Sequence, residues 1–143
     1  MLRGPLAEEK YKPSFSGHET FPLRYGWLRK AYEEIKNNKD TSKNIFSDEE
    51  AVSRFGVGKN MVAAIHHWSQ VTGIVEEDDD RKLRISKIGD LIFSKTGDPY
   101  LEHMSSLWFL HWLLATNPKK TTWFWAFNHF PTQTFSRAQL VQD

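Results

Sequence analysis

The sequence predicts a mainly α fold with a small β-hairpin: a winged helix-turn-helix followed by a helical extension. Three observations carry that expectation. Residues 47–71 read as two helices joined by a four-residue turn that contains glycine. Residues 74–86 read as two short strands around an acidic turn. From residue 98 onward the chain is helical in pattern and aromatic, in a sequence that carries 6 Trp and 10 Phe.

Taken in order, residues 1–14 carry mixed charge with Gly4, Pro5 and Pro13, the composition of a flexible arm. FSGHETFPLRYG (15–26) is punctuated by Gly17, Pro22 and Gly26 and is expected to be irregular, with room for a short strand. WLRKAYEEIKNN (27–38) sets Trp27, Ala31 and Ile35, and Leu28 and Tyr32, at four-residue spacing, the pattern of a helix. A polar loop follows across residues 36–44. Ser47 ahead of Asp48, Glu49 and Glu50 reads as an N-cap, with Glu50 placed to close a capping box and Phe46 to staple onto Ala51 or Val52. Gly56 ends that helix, and a second one is expected from about Asn60 to Val71, closed by Gly73.

Ser86 is expected to cap a helix through KIGDLIFSK, stopped by Gly97. Asp98-Pro99 then opens a longer helix, a cap followed by proline in the first turn. It is apolar on nearly every side from Leu107 onward, which predicts packing from more than one direction. Pro118 and Pro131 bracket a short aromatic helix, and Ser136 caps a last one, RAQLVQD. That helix stops at Asp143 after a turn or two, so the protein is expected to continue into a further C-terminal region. The expected division is an arm (1–14), a winged-helix-like DNA-binding domain (15–97) and a Trp-rich helical extension (98–143).

At 143 residues the chain suffices for one core. Its net charge of +1 makes no global case for a polyanionic partner, so any basic surface must be local. The absence of cysteine excludes disulfides and thiolate metal sites. No signal-peptide run opens the chain, and the apolar stretch Leu107–Leu114 is too short to span a bilayer. A cytoplasmic protein without membrane contact is expected.

Gly56-Val57-Gly58-Lys59 invites a nucleotide-binding reading, which fails on three requirements. A phosphate loop needs G-x-x-x-x-G-K-[ST] after a buried strand. Here Ser53 replaces the first glycine, Asn60 replaces the hydroxyl, and a capped acidic helix precedes the turn. The helix-turn-helix reading survives. At about 100° per residue, Met61, Ile65, Trp68 and Thr72 share one face of the second helix. Asn60, Ala63, His67 and Gln70 lie nearly opposite, with Lys59 and His66 beside them. Asn and Gln suit adenine edges, Lys suits phosphate or guanine, and Gly58, Lys59 and Asn60 sit where free helix amides attract phosphate. Arg81, Lys82 and Arg84 at the base of the hairpin would add contacts, whereas Glu76 to Asp80 would be repelled by a phosphate backbone. An amphipathic helix with a polar face also suits a protein-protein adaptor module with no direct DNA contact.

His18 beside Glu19, in the glycine-bearing loop Ser16–Thr20, is the one catalytic candidate pair, as a general base or as part of a divalent-ion site. It lacks the second His of H-E-x-x-H, and two such residues also serve to fix a loop by hydrogen bonds. His66-His67 point about 100° apart on a helix and make a poor metal pair. Asp98 reads as a cap and His111 as a core histidine, while His129 with Trp123, Trp125 and Phe127 suits either base stacking or core packing. No metal cluster and no cofactor motif stands out, and residues alone give no reaction.

FSGHETFPLRYGWL, AVSRFGVGKNMVAAIHHW, the DPYLE and LWFLHW pieces and TTWFWAFN, in that order and spacing, resemble a bacterial family first catalogued as domain of unknown function four thousand and seven. The similarity runs from about Phe15 to the end, and family members are longer than this chain. The family includes the SspB-like DNA-nicking component of DNA phosphorothioation systems. The resemblance implies an N-terminal half that binds double-stranded DNA in modification or defence, works with other phosphorothioation-system proteins, and supports a nicking endonuclease. It implies Mg2+ or Mn2+ as cofactor if the protein nicks DNA. None of the family's nicking residues is carried onto this chain, so His18 and Glu19 stand on their own chemistry.

Overall fold

The computed structural model describes residues 4–38 and 44–142, so most of the expected polar loop at 36–44 lies outside the described residues. A 3-10 turn, Gly4–Ala7, precedes an irregular stretch that leads into α1 (Trp27–Asn37). Then come α2 (Ala51–Phe55), α3 (Lys59–Val71), β1 (Val75–Glu77) and β2 (Leu83–Ile85). The chain closes with α4 (Lys87–Phe93), α5 (Met104–Thr116), α6 (Thr121–Asn128) and α7 (Arg137–Gln142). The molecule is mainly helical with a two-stranded antiparallel hairpin, as its patterning predicts.

Helix α2 is shorter than its cap signals suggest. It begins at Ala51, and neither Ser47 nor Glu50 caps it through a side chain. The acidic groups go to Arg54 instead: Asp48 lies 2.9 Å from its guanidinium and Glu50 3.4 Å. Phe46 stacks on Phe55 and His66, with ring centroids 4.9 and 4.4 Å away. Gly56 closes α2 at φ 62°, a left-handed conformation that glycine adopts without steric penalty.

Val75 pairs with Ile85, Glu76 with Arg84 and Glu77 with Leu83 across the hairpin. Its acidic turn has an internal cause. The Asp78 carboxylate accepts from the backbone N–H groups of Asp80 (3.0 Å) and Lys82 (2.8 Å), the local bonding that makes Asp a turn former. Ser86 caps α4 by accepting from Gly89 N–H at 2.9 Å. Ser136 and Gln139 bond reciprocally at the start of α7, at 3.3 and 2.8 Å.

Asp98 caps a loop and not a helix. Its carboxylate accepts from the amides of Glu102 and His103, both at 2.9 Å, and Leu101 at φ 52° interrupts any helix there. Helix α5 therefore starts at Met104.

Helices α1, α2, α3 and α4 pack with the hairpin around Phe55, Val62, Ile65, Ile74 and Val75, all at most 2% exposed. The inward face of α3 is wider than its phase predicts. Ile65, Trp68 and Thr72 are buried, and so are Val62, Ala64, Ser69 and Val71. Helix α5 packs on α6 and sends Leu110 and Leu114 into the core. Its other side is bare: Met104, Leu107, Trp108 and Trp112 are exposed, because the described elements cover it from one direction only. Asn117 ties its end to α3 by donating to the Val71 carbonyl at 2.7 Å.

Candidate nucleic-acid interface

The expected contact residues fall into two environments. Gly58, Lys59 and Asn60 are exposed at the start of α3, where Gly58 is extended and the first helical amides have no side-chain cap. Ala63, His66, His67 and Gln70, farther along the helix, are each half-buried. His66 lies flat on Phe46, with ring planes 11° apart, and its Nε2 is buried without a hydrogen-bond partner. Burial pushes its pKa down, with Glu77 acting weakly in the other direction. At the hairpin, Arg81, Lys82 and Arg84 are exposed. Arg84 pairs with Glu76 at 3.0 Å across the strands, and Lys82 lies 4.0 Å from Asp80.

His67 sits in a cluster that joins three parts of the chain. Its Nε2 is 3.3 Å from Lys120 Nζ at the start of α6, and its ring centroid is 6.0 Å from that of His18. The Lys120 ammonium also lies 4.8 Å above the Trp68 ring. Lys120 is only 6% exposed, and no carboxylate within 4.0 Å pairs with it among the described residues. Burial lowers the Lys120 pKa. Burial first, then the charge of Lys120 and the neighbouring His18 and His66, brings His67 down to about 4. His18 is lowered by burial and by Lys120, against a smaller opposing pull from Glu19.

The SGHET loop reaches this cluster through Gly17, at φ 98°. A Cβ there would stand 2.5 Å from His67 Nδ1, so the ring packs on a bare α-carbon. The loop is held by Trp68, whose indole N–H donates to the Phe21 carbonyl at 3.0 Å. His18 Nδ1 is buried without a partner, Glu19 is exposed at φ 48°, and no hydrogen bond joins the two. The pair forms no acid–base dyad in this arrangement. Among the described residues no three His, Asp or Glu side chains converge to hold a metal ion.

Two further histidines, His111 and His129, line aromatic contacts. His111 meets Phe127 edge-on at 4.5 Å, half-buried beside the groove of Met104, Leu107 and Trp108. His129 tilts against Phe124 at 5.6 Å. Residues 11–14, expected in a loose arm, are tied down. The Tyr11 hydroxyl donates to the Pro118 carbonyl at 2.7 Å, and Ser14 N–H donates to the Thr121 hydroxyl at 2.7 Å.

A cleft of about 940 Å³ opens along the second half of α3, lined by Lys12, Ser14, His67, Gln70, Glu76, Glu77, Lys87 and Lys119 among others. Patterning singled out His67 and Gln70 but not Lys12, Gly17, Lys119 or Lys120. The Lys119-Lys120 pair after Pro118 is visible in sequence, yet nothing local tells which of the two turns inward. No helix among the described residues is long and apolar enough to cross a membrane.

A family model described as "Protein of unknown function (DUF4007)" matches residues 15–143. No curated protein matches this chain. Two solved structures are similar to it. A magnesium ion-bound SspB crystal structure is 35% identical, with a TM-score of 0.78, over 90% of this chain and 40% of that one. An SspB crystal structure is 36% identical, with a TM-score of 0.76, over 90% of this chain and 41% of that one. The chain thus spans about 40% of the length of each.

Proposed function

The chain belongs to the DUF4007 family of proteins of unknown function, and from that premise we propose that it is the DNA-binding part of a bacterial protein linked to DNA phosphorothioation. In this reading α1 to α3 with the hairpin act as a winged helix-turn-helix. It serves modification or defence by supporting DNA nicking, in company with other proteins of the same system. The likeness to SspB supports the link to phosphorothioation. The observation that carries DNA contact is the exposed start of α3. Lys59 and Asn60 stand free just after the glycine turn, with uncapped helix amides behind them. Arg81, Lys82 and Arg84 flank the same domain, and the acidic turn points its Asp78 carboxylate into its own backbone. Mg2+ or Mn2+ is the proposed ion of any nicking step.

Lys59→Ala/Asn60→Ala is expected to weaken duplex binding. It should also lower the slope of log affinity against log salt by about 0.9, the share of one phosphate contact. Unchanged affinity and slope would remove the reading.

One observation favours an adaptor in its place. Helix α5 contains no charged residue and exposes Trp108 at 65% and Trp112 at 57%. Salt-insensitive association with a protein partner, together with no duplex binding, is the outcome that would select it.

A further inference from the structure

We propose that the cleft along the second half of α3 is a phosphate track for a DNA strand, with Lys12, Lys87 and Lys119 on its walls and Lys120 behind His67. This rests on the reading that the chain binds DNA, and it extends the contact surface beyond the start of α3.

The three wall lysines come from three separate segments: the N-terminal stretch, the start of α4 and the turn between α5 and α6. All three are exposed, and among the described residues none has a carboxylate within 4.0 Å. The cleft also contains Glu76 and Glu77, but Glu76 is neutralised by Arg84 at 3.0 Å. The lining therefore keeps three unpaired cations against one unpaired anion, Glu77.

Lys120 adds a charge of a different kind. A buried ammonium without an anionic neighbour is costly. Here, among the described residues, it has an imidazole nitrogen and an indole face for partners. Low surrounding polarity lets its field reach past His67 into the cleft with less screening than a surface lysine would suffer. A phosphate seated in front of His67 supplies the missing negative charge. The side chain of Gln70 makes no hydrogen bond within the described protein and lines the same space. It is free to donate and to accept.

Geometry links the two ends of α3. Lys59 and Gln70 lie eleven positions apart on α3, which is roughly 16 Å of helix. That length matches about five nucleotides of axial rise in one strand. One strand can therefore pass from the exposed helix start to the cleft.

The test is duplex binding by fluorescence anisotropy at several salt concentrations, with the full chain. Lys12→Ala/Lys119→Ala changes two exposed side chains and should leave thermal unfolding unmoved. It should weaken binding about tenfold and lower the log–log salt slope by about 1.8. Lys120→Met should weaken binding in the same direction. Lys95→Ala, a solvent-exposed lysine away from the cleft lining, should not weaken it comparably. If the double variant binds as tightly as the parent while Lys59→Ala/Asn60→Ala does not, the cleft proposal falls and the DNA reading stands. If the parent chain binds no duplex, both fall. A competition arm uses inorganic phosphate against chloride at matched ionic strength. Duplex bound by the parent should be displaced more by phosphate than by chloride, and that excess should vanish in Lys12→Ala/Lys119→Ala; an excess that persists in the double variant would overturn the proposal.

Discussion

Lys120 and His67 face each other at 3.3 Å, ammonium to imidazole, and among the described residues no carboxylate lies within 4.0 Å to balance them. An ammonium has only protons to give, so His67 Nε2 must accept and the ring carries its own proton on Nδ1. A protonated His67 would place a second positive charge against the first. The pair is thus stable only with a neutral imidazole, which agrees with a pKa of about 4.

Replacing the cation separates the two causes of that depression. Lys120→Met keeps the burial and removes the repulsion. The pKa of His67, followed by NMR titration of its ring protons, should rise from about 4 yet stay below 6.5, because burial is the larger cause. His18 should move upward in the same titration. A His67 pKa that does not move would mean that Lys120 does not act on it.

The same depression predicts acid sensitivity. The unfolded chain takes up the His67 proton near pH 6.5, before the folded chain does. Stability should therefore fall as pH drops from about 6.5 to about 4 and level off below for this group. The loss from His67 is on the order of 2 kcal/mol, reduced from the full linkage value because the ring is partly exposed. His18 and His66, also lowered, act in the same direction. Asp98, held down by the Ser106 hydroxyl and the amides of His103 and Glu102, loses its contribution only below the ordinary carboxylate range. Urea midpoints between pH 7 and 4.5 should decline in the parent and decline less in His67→Gln; equal declines would contradict this account.

Gly17 should tolerate no side chain. Alanine there must hold φ 98° and place a Cβ 2.5 Å from His67 Nδ1. The cost is expected at about 1–3 kcal/mol in urea unfolding. Unaltered stability would show that the loop does not bear on the ring.

Much of this arrangement is legible in the sequence because it is local. The 3.6-residue period exposes α1 and α3, glycine marks the turn before α3, and Ser86 and Ser136 announce their helices through bonds three residues away. What sequence misplaces is decided by distant partners. Ser47 loses its helix because Arg54 collects the acidic side chains that would have served the first turn. Asp98 opens a loop because two amides four and five residues on bond its carboxylate before a helix can form. The cluster at His67 was half legible. The outward phase of His67 on α3 is a local property, but Lys120 lies 53 residues away, and only folding shows that it turns inward while Lys119 lines the cleft.

The apolar side of α5 gives a prediction that separates covered from bare aromatic surface. Trp108 and Trp112 are mostly exposed, and their ring contacts, to His111 and Phe109, are made within the same helix. Trp108→Ser and Trp112→Ser should each change unfolding free energy by no more than about 0.5 kcal/mol, the range of surface substitutions. Both should lower the binding of an apolar dye, since each removes part of an exposed patch. Leu110→Ala on the other side of the same helix, where only 5% of the residue is exposed, should cost about 2–5 kcal/mol. Tryptophan variants as damaging as Leu110→Ala would mean that this side of α5 is packed against protein in solution, and the adaptor reading would lose its surface.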